Sequence, residues 1–297
     1  MTATTVDRPP TLSRTTSLLA DRVTCGLAVL VGAAALLGLI VPDVYTGPAA
    51  TAETLRAWDL VGVPLSVALL VAAWRSARGS AGARLVEVAV VASLVYTSAF
   101  YVFGTGFNDL FLLHVAVLGT ALVALGLHVA ALADPSDPAR SALRVGEARH
   151  PRLAAGLLVA LAVGLGAMWV VAAVVQAVDG TVPVGSRLVE TVTVVRLGMA
   201  LDLLLLVPLY LASGVLLWRG AAWGRVLTVV SVLSGLVHQV DYLVAMPMQV
   251  AAGVEGAVSS DAAEPVVVLA YLVAGWALLR PASGRSSSSS ASSRLAA

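Results

Sequence analysis

The feature that most constrains this chain is the recurrence of long apolar runs. A run of about 18 or more apolar residues reads as a membrane helix, because a helix satisfies its own backbone hydrogen bonds across ~30 Å of hydrocarbon. Eight such runs lie at roughly 23–41, 58–74, 85–104, 109–132, 153–177, 198–218, 226–248 and 263–280. Of 297 residues, 59% are hydrophobic and 12% charged, whereas a soluble domain is usually about 45–50% apolar and about 25% charged. That excess excludes a secreted, cytosolic or nucleic-acid-binding globule. The expected fold class is all-α, a polytopic membrane helix bundle of about eight transmembrane helices with the lipid bilayer as its surroundings.

The cations are all arginine, and their distribution orients the bundle. Arginines in short loops resist translocation, so they should gather on one side. Fifteen of the 18 do so: Arg8, Arg14 and Arg22 before the first run; Arg75, Arg78 and Arg84; Arg140, Arg144, Arg149 and Arg152; Arg219 and Arg225; Arg280, Arg285 and Arg294. The opposite loops hold only Arg56, Arg187 and Arg196. Both termini are therefore expected in the cytoplasm of a bacterial inner membrane. The first run, preceded by basic residues, is expected to be a retained anchor, since its apolar length is long for a signal core. The domain reading is a disordered terminus at 1–20, a four-helix half at 21–133, a cytoplasmic loop at 134–152, a second half at 153–280 and a disordered serine-rich tail at 281–297. A single cysteine, Cys25, excludes an internal disulfide.

The two halves share spacing as well as composition. Val63-Pro64-Leu65 precedes Trp74-Arg75 as Val207-Pro208-Leu209 precedes Trp218-Arg219, with ten residues from proline to tryptophan in both. Asp59 and Asp202 stand five and six residues before those prolines, and Leu94-Val95-Tyr96 with Phe100 aligns with Leu236-Val237-His238 with Tyr242. Repeats four spans apart share an orientation, as in transporters whose sites lie at the repeat interface; coincidence in a Leu/Val/Ala-rich alphabet is the competing account.

Ionisable groups inside hydrocarbon are costly and mark candidate sites. Ser231, Ser234, His238 and Asp241 follow i, i+3, i+7, i+10 spacing, one helical stripe, with Tyr242 alongside. His238 and Asp241, one turn apart, suit a proton relay or a plain interhelical hydrogen bond. Asp59 and Asp202 read first as acids in the opening turn of a helix, favoured by its dipole. The alternative is an outward vestibule in which Asp59, Arg196, Asp202, Asp241 and His114 converge. His114 and His128 fall ~21 Å apart on one helix, close to the spacing of axial ligands to two stacked haems. No second helix supplies matching partners, so no cofactor is expected and haem at His114, His128 or His238 is a minor reading. Glu87 beside Arg84 reads as a solvated i, i+3 pair, and the six tryptophans mostly as interface anchors. Phe100–Phe111 holds all four phenylalanines at a turn that Gly104 and Gly106 permit and Asn108 can cap.

The element Phe103-Gly-x-x-Phe107-Asn108-x-Leu-Phe-Leu, with Leu201-Asp202-Leu203 and the later Pro208 and Leu-Trp-Arg, resembles a group of actinobacterial-type multi-pass membrane proteins with no assigned activity. The resemblance implies a membrane fold and location only. There is no phosphate loop, H-E-x-x-H or G-x-S-x-G motif, so an enzyme is not the expected reading. Three functions remain: a small-solute or proton-coupled carrier, a non-catalytic partner or sensor subunit binding another protein, and a haem or quinone redox subunit.

Overall fold

A computed structural model describes residues 10–135, 137, 149–181 and 186–278, and among these every regular element is helical. The first set comprises α1 (Pro10–Ile40), α2 (Ala49–Ala77), α3 (Ala81–Ala99), which runs on through a π-helical turn at Phe100–Gly104, and α4 (Phe111–Ala133). The second comprises α5 (Pro151–Asp179), α6 (Val192–Leu201) joined by a π-turn at Asp202–Leu206 to α7 (Val207–Trp218), α8 (Ala222–Ala251) and α9 (Glu264–Leu278). Helix starts follow local chemistry. The Ser80 hydroxyl accepts from Ala83 N and that of Thr191 from Val194 N, both at 3.3 Å, and Pro151 opens α5.

Counting α6 and α7 as one rod, seven described helices are long and apolar enough to cross a bilayer. The eighth expected span begins as α9, whose 15 described residues rise ~22 Å; its expected last residues, 279–280, lie outside the described part. The chain thus has the make-up of a multi-pass membrane protein. Large apolar side chains such as Leu112, Val178 and Leu204 stand exposed around the bundle, where lipid rather than water is their natural surroundings. The interior is rich in fully enclosed alanines, among them Ala57, Ala121, Ala155, Ala245 and Ala274, as expected where close backbone approach drives helix association in lipid.

Three helix starts differ from the apolar runs. α1 begins at Pro10, so the disordered terminus expected over 1–20 is corrected for residues 10–20; residues 1–9, most of the 134–152 loop and the 281–297 tail lie outside the described residues. α2 begins at Ala49 rather than 58, and the sixth span at Val192 rather than 198. Polar residues extend these helices because they find partners: Glu53 pairs with Arg56 at 3.2 Å one turn on, and Asp21 of α1 receives the Ser76 hydroxyl at 3.1 Å.

The two halves pack alike. α1 packs on α2 and α4, and α3 on the same two; α5 packs on α7 and α9, and α8 on the same two. Each half is therefore a ring of four. The halves meet through α3 and α8, equivalent members of the two rings, with α2 also against α8. These are the two most enclosed spans, 72% and 56% buried over their apolar windows against 17–44% for the other five. Alternate loops gather at opposite ends. At one, Thr46 Oγ1 donates to Phe107 O and Gln249 reaches both Ala50 and Val189. At the other, arginine-rich end, Arg84 meets Asp21 and His150 N donates to Ala277 O.

Candidate functional site

The π-turn explains a detail of the repeat. Asp59 is five residues before Pro64 but Asp202 six before Pro208, and a π-turn closes i→i+5 rather than i→i+4, absorbing one extra residue. The turn at Asp202–Leu206 thus restores Asp202 to the place Asp59 holds. Neither aspartate lies in the first turn of a helix. Asp59 is inside α2 and Asp202 follows the ten residues of α6, so the dipole account expected for them is corrected. Its premise fails because both helices begin earlier than the apolar runs.

Each carboxylate instead receives two side-chain donors. Asp202 accepts from the Tyr96 hydroxyl at 2.8 Å and from Trp169 Nε1 at 2.7 Å. Asp59 accepts from the Tyr45 hydroxyl at 2.6 Å and the Tyr101 hydroxyl at 3.0 Å, the latter shared with Leu55 O. Such charge-assisted bonds are what permits a buried carboxylate. Burial and the Asp59 carboxylate push the Tyr45 hydroxyl above the usual tyrosine range, keeping it a donor. Gly38 makes room for this pair, since a Cβ there would overlap Asp59 Oδ2 and Tyr45 Oη.

The surroundings of the two aspartates differ. Asp202 borders a cavity of about 600 Å³ bounded by α5, α6, α8 and α9, with Trp58, Tyr96 and Phe100 closing it from the first half. His238 lines this cavity, its ring edge-on to Tyr96 with centroids 5.0 Å apart, and Tyr242 lines it too. Tyr96 and His238, which the shared sequence spacing aligns, touch where the two sets of helices meet. Around the wall, the Tyr210 and Tyr271 hydroxyls lie 2.7 Å apart, Tyr271 packs over Gly235, and Gln239 donates to Glu264. At the mouth, Glu190 accepts from Ser186 and Tyr242 donates to Asp261. Burial, and secondarily Asp202, raise the Glu190 carboxyl above the usual range.

Asp59 borders a space of only about 40 Å³, shared with Tyr101, His114, Thr97 and Asp241, room for little more than water. His114 stacks on Tyr101 at 4.5 Å and its Nε2 has no protein partner.

The proposed single vestibule is therefore divided. Asp202, His238 and Tyr242 face the large cavity; Asp59, His114 and Asp241 face the small one. Ser234 turns to a separate, nearly apolar cleft of about 310 Å³, which His238 also borders, and Ser231 bonds Ser213 at 2.9 Å. Arg196 is exposed and lines none of these spaces. The stripe on α8 splits where α2 and α3 of the first half both pack against it. Sequence reasoning missed Trp58 and Trp169, taken for interface anchors but 8% and 5% exposed; the mid-run position of Trp169 was the available signal. Tyr45, Tyr210, Tyr271, Glu190 and Glu264 carried none. Trp74, Trp218 and Trp276, more than 45% exposed, do behave as anchors.

At the arginine-rich end, the solvated Glu87–Arg84 pair is also corrected. Glu87 is fully buried with Oε1 3.6 Å from His128 Nε2, which meets Thr24 Oγ1 at 3.0 Å, while Arg84 pairs with Asp21 at 3.2 Å. Helices α1–α4 thus enclose a polar network that apolar-run reasoning placed at the surface. His128 is enclosed within it, and His114 lies against tyrosine rings.

Compared with family models, curated proteins and solved structures, the chain finds no match in any of the three.

Proposed function

We propose that this multi-pass membrane protein is a carrier for a small solute, with His238 and Asp202 as its proton-responsive pair. The observation that carries the reading is the cavity of about 600 Å³ at the junction of two like-packed halves. That volume is in the range of small-molecule sites, and a repeat interface is where duplicated transporters bind substrate. His238 makes no hydrogen bond among the described residues and sits beside the Tyr96–Asp202 bond, so gaining a proton would give it reason to turn toward the carboxylate. Rocking the rings about α3 and α8 would alternate access. The gathering of arginines at one end supports a cytoplasmic location for that end and both termini, and an outward opening for the cavity, in a bacterial inner membrane.

The test is solute uptake into proteoliposomes loaded with the purified chain, driven by an imposed pH gradient. His238→Ala should abolish the flux while leaving the detergent-solubilised protein's size-exclusion profile intact. A variant that keeps full flux, or loses it only by unfolding, refutes the assignment. The site around Asp59 favours a second reading, a non-catalytic helper whose polar groups hold helices together. The space adjoining Asp59 is too small for solute. Co-purification of one specific protein in mild detergent, with no flux, would select that reading.

A further inference from the structure

The carrier reading leaves the solute open, and the large cavity restricts it. Four carboxylates line it, Asp202, Glu190, Asp261 and Glu264, and among the described residues no arginine does. Arg187 and Arg196, nearest in sequence, are both exposed. Concentrated carboxylates that face no arginine are expensive to keep ionised in a site walled by apolar groups. The rest of the wall is aromatic: rings of Trp58, Tyr96, Phe100, Trp169, Tyr210 and Tyr271 border the same space, and ring faces attract a desolvated cation. Resting on the carrier reading, we propose that the cavity takes a small organic ammonium ion. Asp202 and the mouth carboxylates supply countercharge, and the rings enclose the alkylated nitrogen.

The full chain in detergent is titrated with choline, with benzyltrimethylammonium, and with 3,3-dimethylbutan-1-ol, which keeps the shape and hydroxyl of choline but has no charge. Both cations should bind, and choline should bind at least about tenfold more tightly than the neutral alcohol. Asp202→Asn should weaken choline about tenfold or more and leave the alcohol unchanged; Glu264→Gln, at the mouth, should weaken choline by less, about twofold to fivefold. Arg196→Ala, away from the cavity, should change nothing. Equal binding of choline and the alcohol, preference for an anion such as benzenesulfonate, or absence of binding by both cations overturns the inference, whatever the flux assay gives. Cation binding without flux in proteoliposomes leaves the ammonium site standing and removes the carrier reading instead.

Discussion

Gln249 offers the sharpest energetic test of how the arginine-poor end is held together. Its side chain is almost fully buried; Nε2 donates to Ala50 O at 3.1 Å, Thr54 Oγ1 at 2.9 Å and Val189 O at 3.0 Å, and Oε1 accepts from Val189 N at 2.9 Å. One amide thereby joins α2, α8 and the segment that leads into α6. Truncation leaves the two Val189 backbone groups without partners, while Ala50 O keeps the Thr54 hydroxyl. At about 1–3 kcal/mol per orphaned group, tempered by the ~0.6 kcal/mol average for interhelical side-chain bonds in membranes, Gln249→Ala should cost about 2–3 kcal/mol. Gln249→Glu conserves shape but turns an oxygen toward three acceptors, so it should cost at least as much near neutral pH. The lone Cys25, partly buried in α1, gives a convenient assay: its reaction with a thiol-specific fluorophore during heating in detergent reports loss of structure. If the glutamate variant melts with the native protein, the donor count assigned to this amide is wrong.

Other outcomes follow from neighbouring contacts. Gly38→Ala should displace the Asp59–Tyr45 pair and lower the melting temperature, whereas Gly26→Ala, where a Cβ meets nothing within 4 Å, should leave it unchanged in the same assay. Arg84→Met should destabilise by about 3–5 kcal/mol by stranding Asp21, and adding Asp21→Asn should recover part of the loss. Glu190 titrates above its ordinary value of 4.5, so the unfolded chain gives up this proton first and stability falls as pH rises from there. Glu190→Gln should therefore stabilise the protein near neutral pH and lose that advantage below pH 4.5; a gain independent of pH would refute the linkage.

Much of the architecture was legible because bilayer thickness acts on whole segments. Proline and tryptophan at fixed spacing also stood out in an otherwise uniform alphabet. Helix starts were not, because Thr51, Glu53 and Arg56 look like loop residues until a helix provides partners for them. The site was half legible. His238 and Asp202 stood out as rare ionisable groups, but their separation from Asp59 and Asp241 depends on how α2 and α3 meet α8, which periodicity along one helix does not encode. Glu87 was misread for the same reason: its nearest sequence cation, Arg84, is engaged by Asp21, and the histidine beside it comes from another span.

The π-turn after Asp202 has one more consequence. A lengthened turn is a register slip held within a continuous rod, and passing it along by one residue re-aims by about 100° only the residue it passes, leaving both ends of the rod in place. Deleting a single leucine from 203–206 would remove the spare residue together with its turn, set Asp202 five residues before the proline as Asp59 is, and leave its bonds to Tyr96 and Trp169 in place within a straight α-helix.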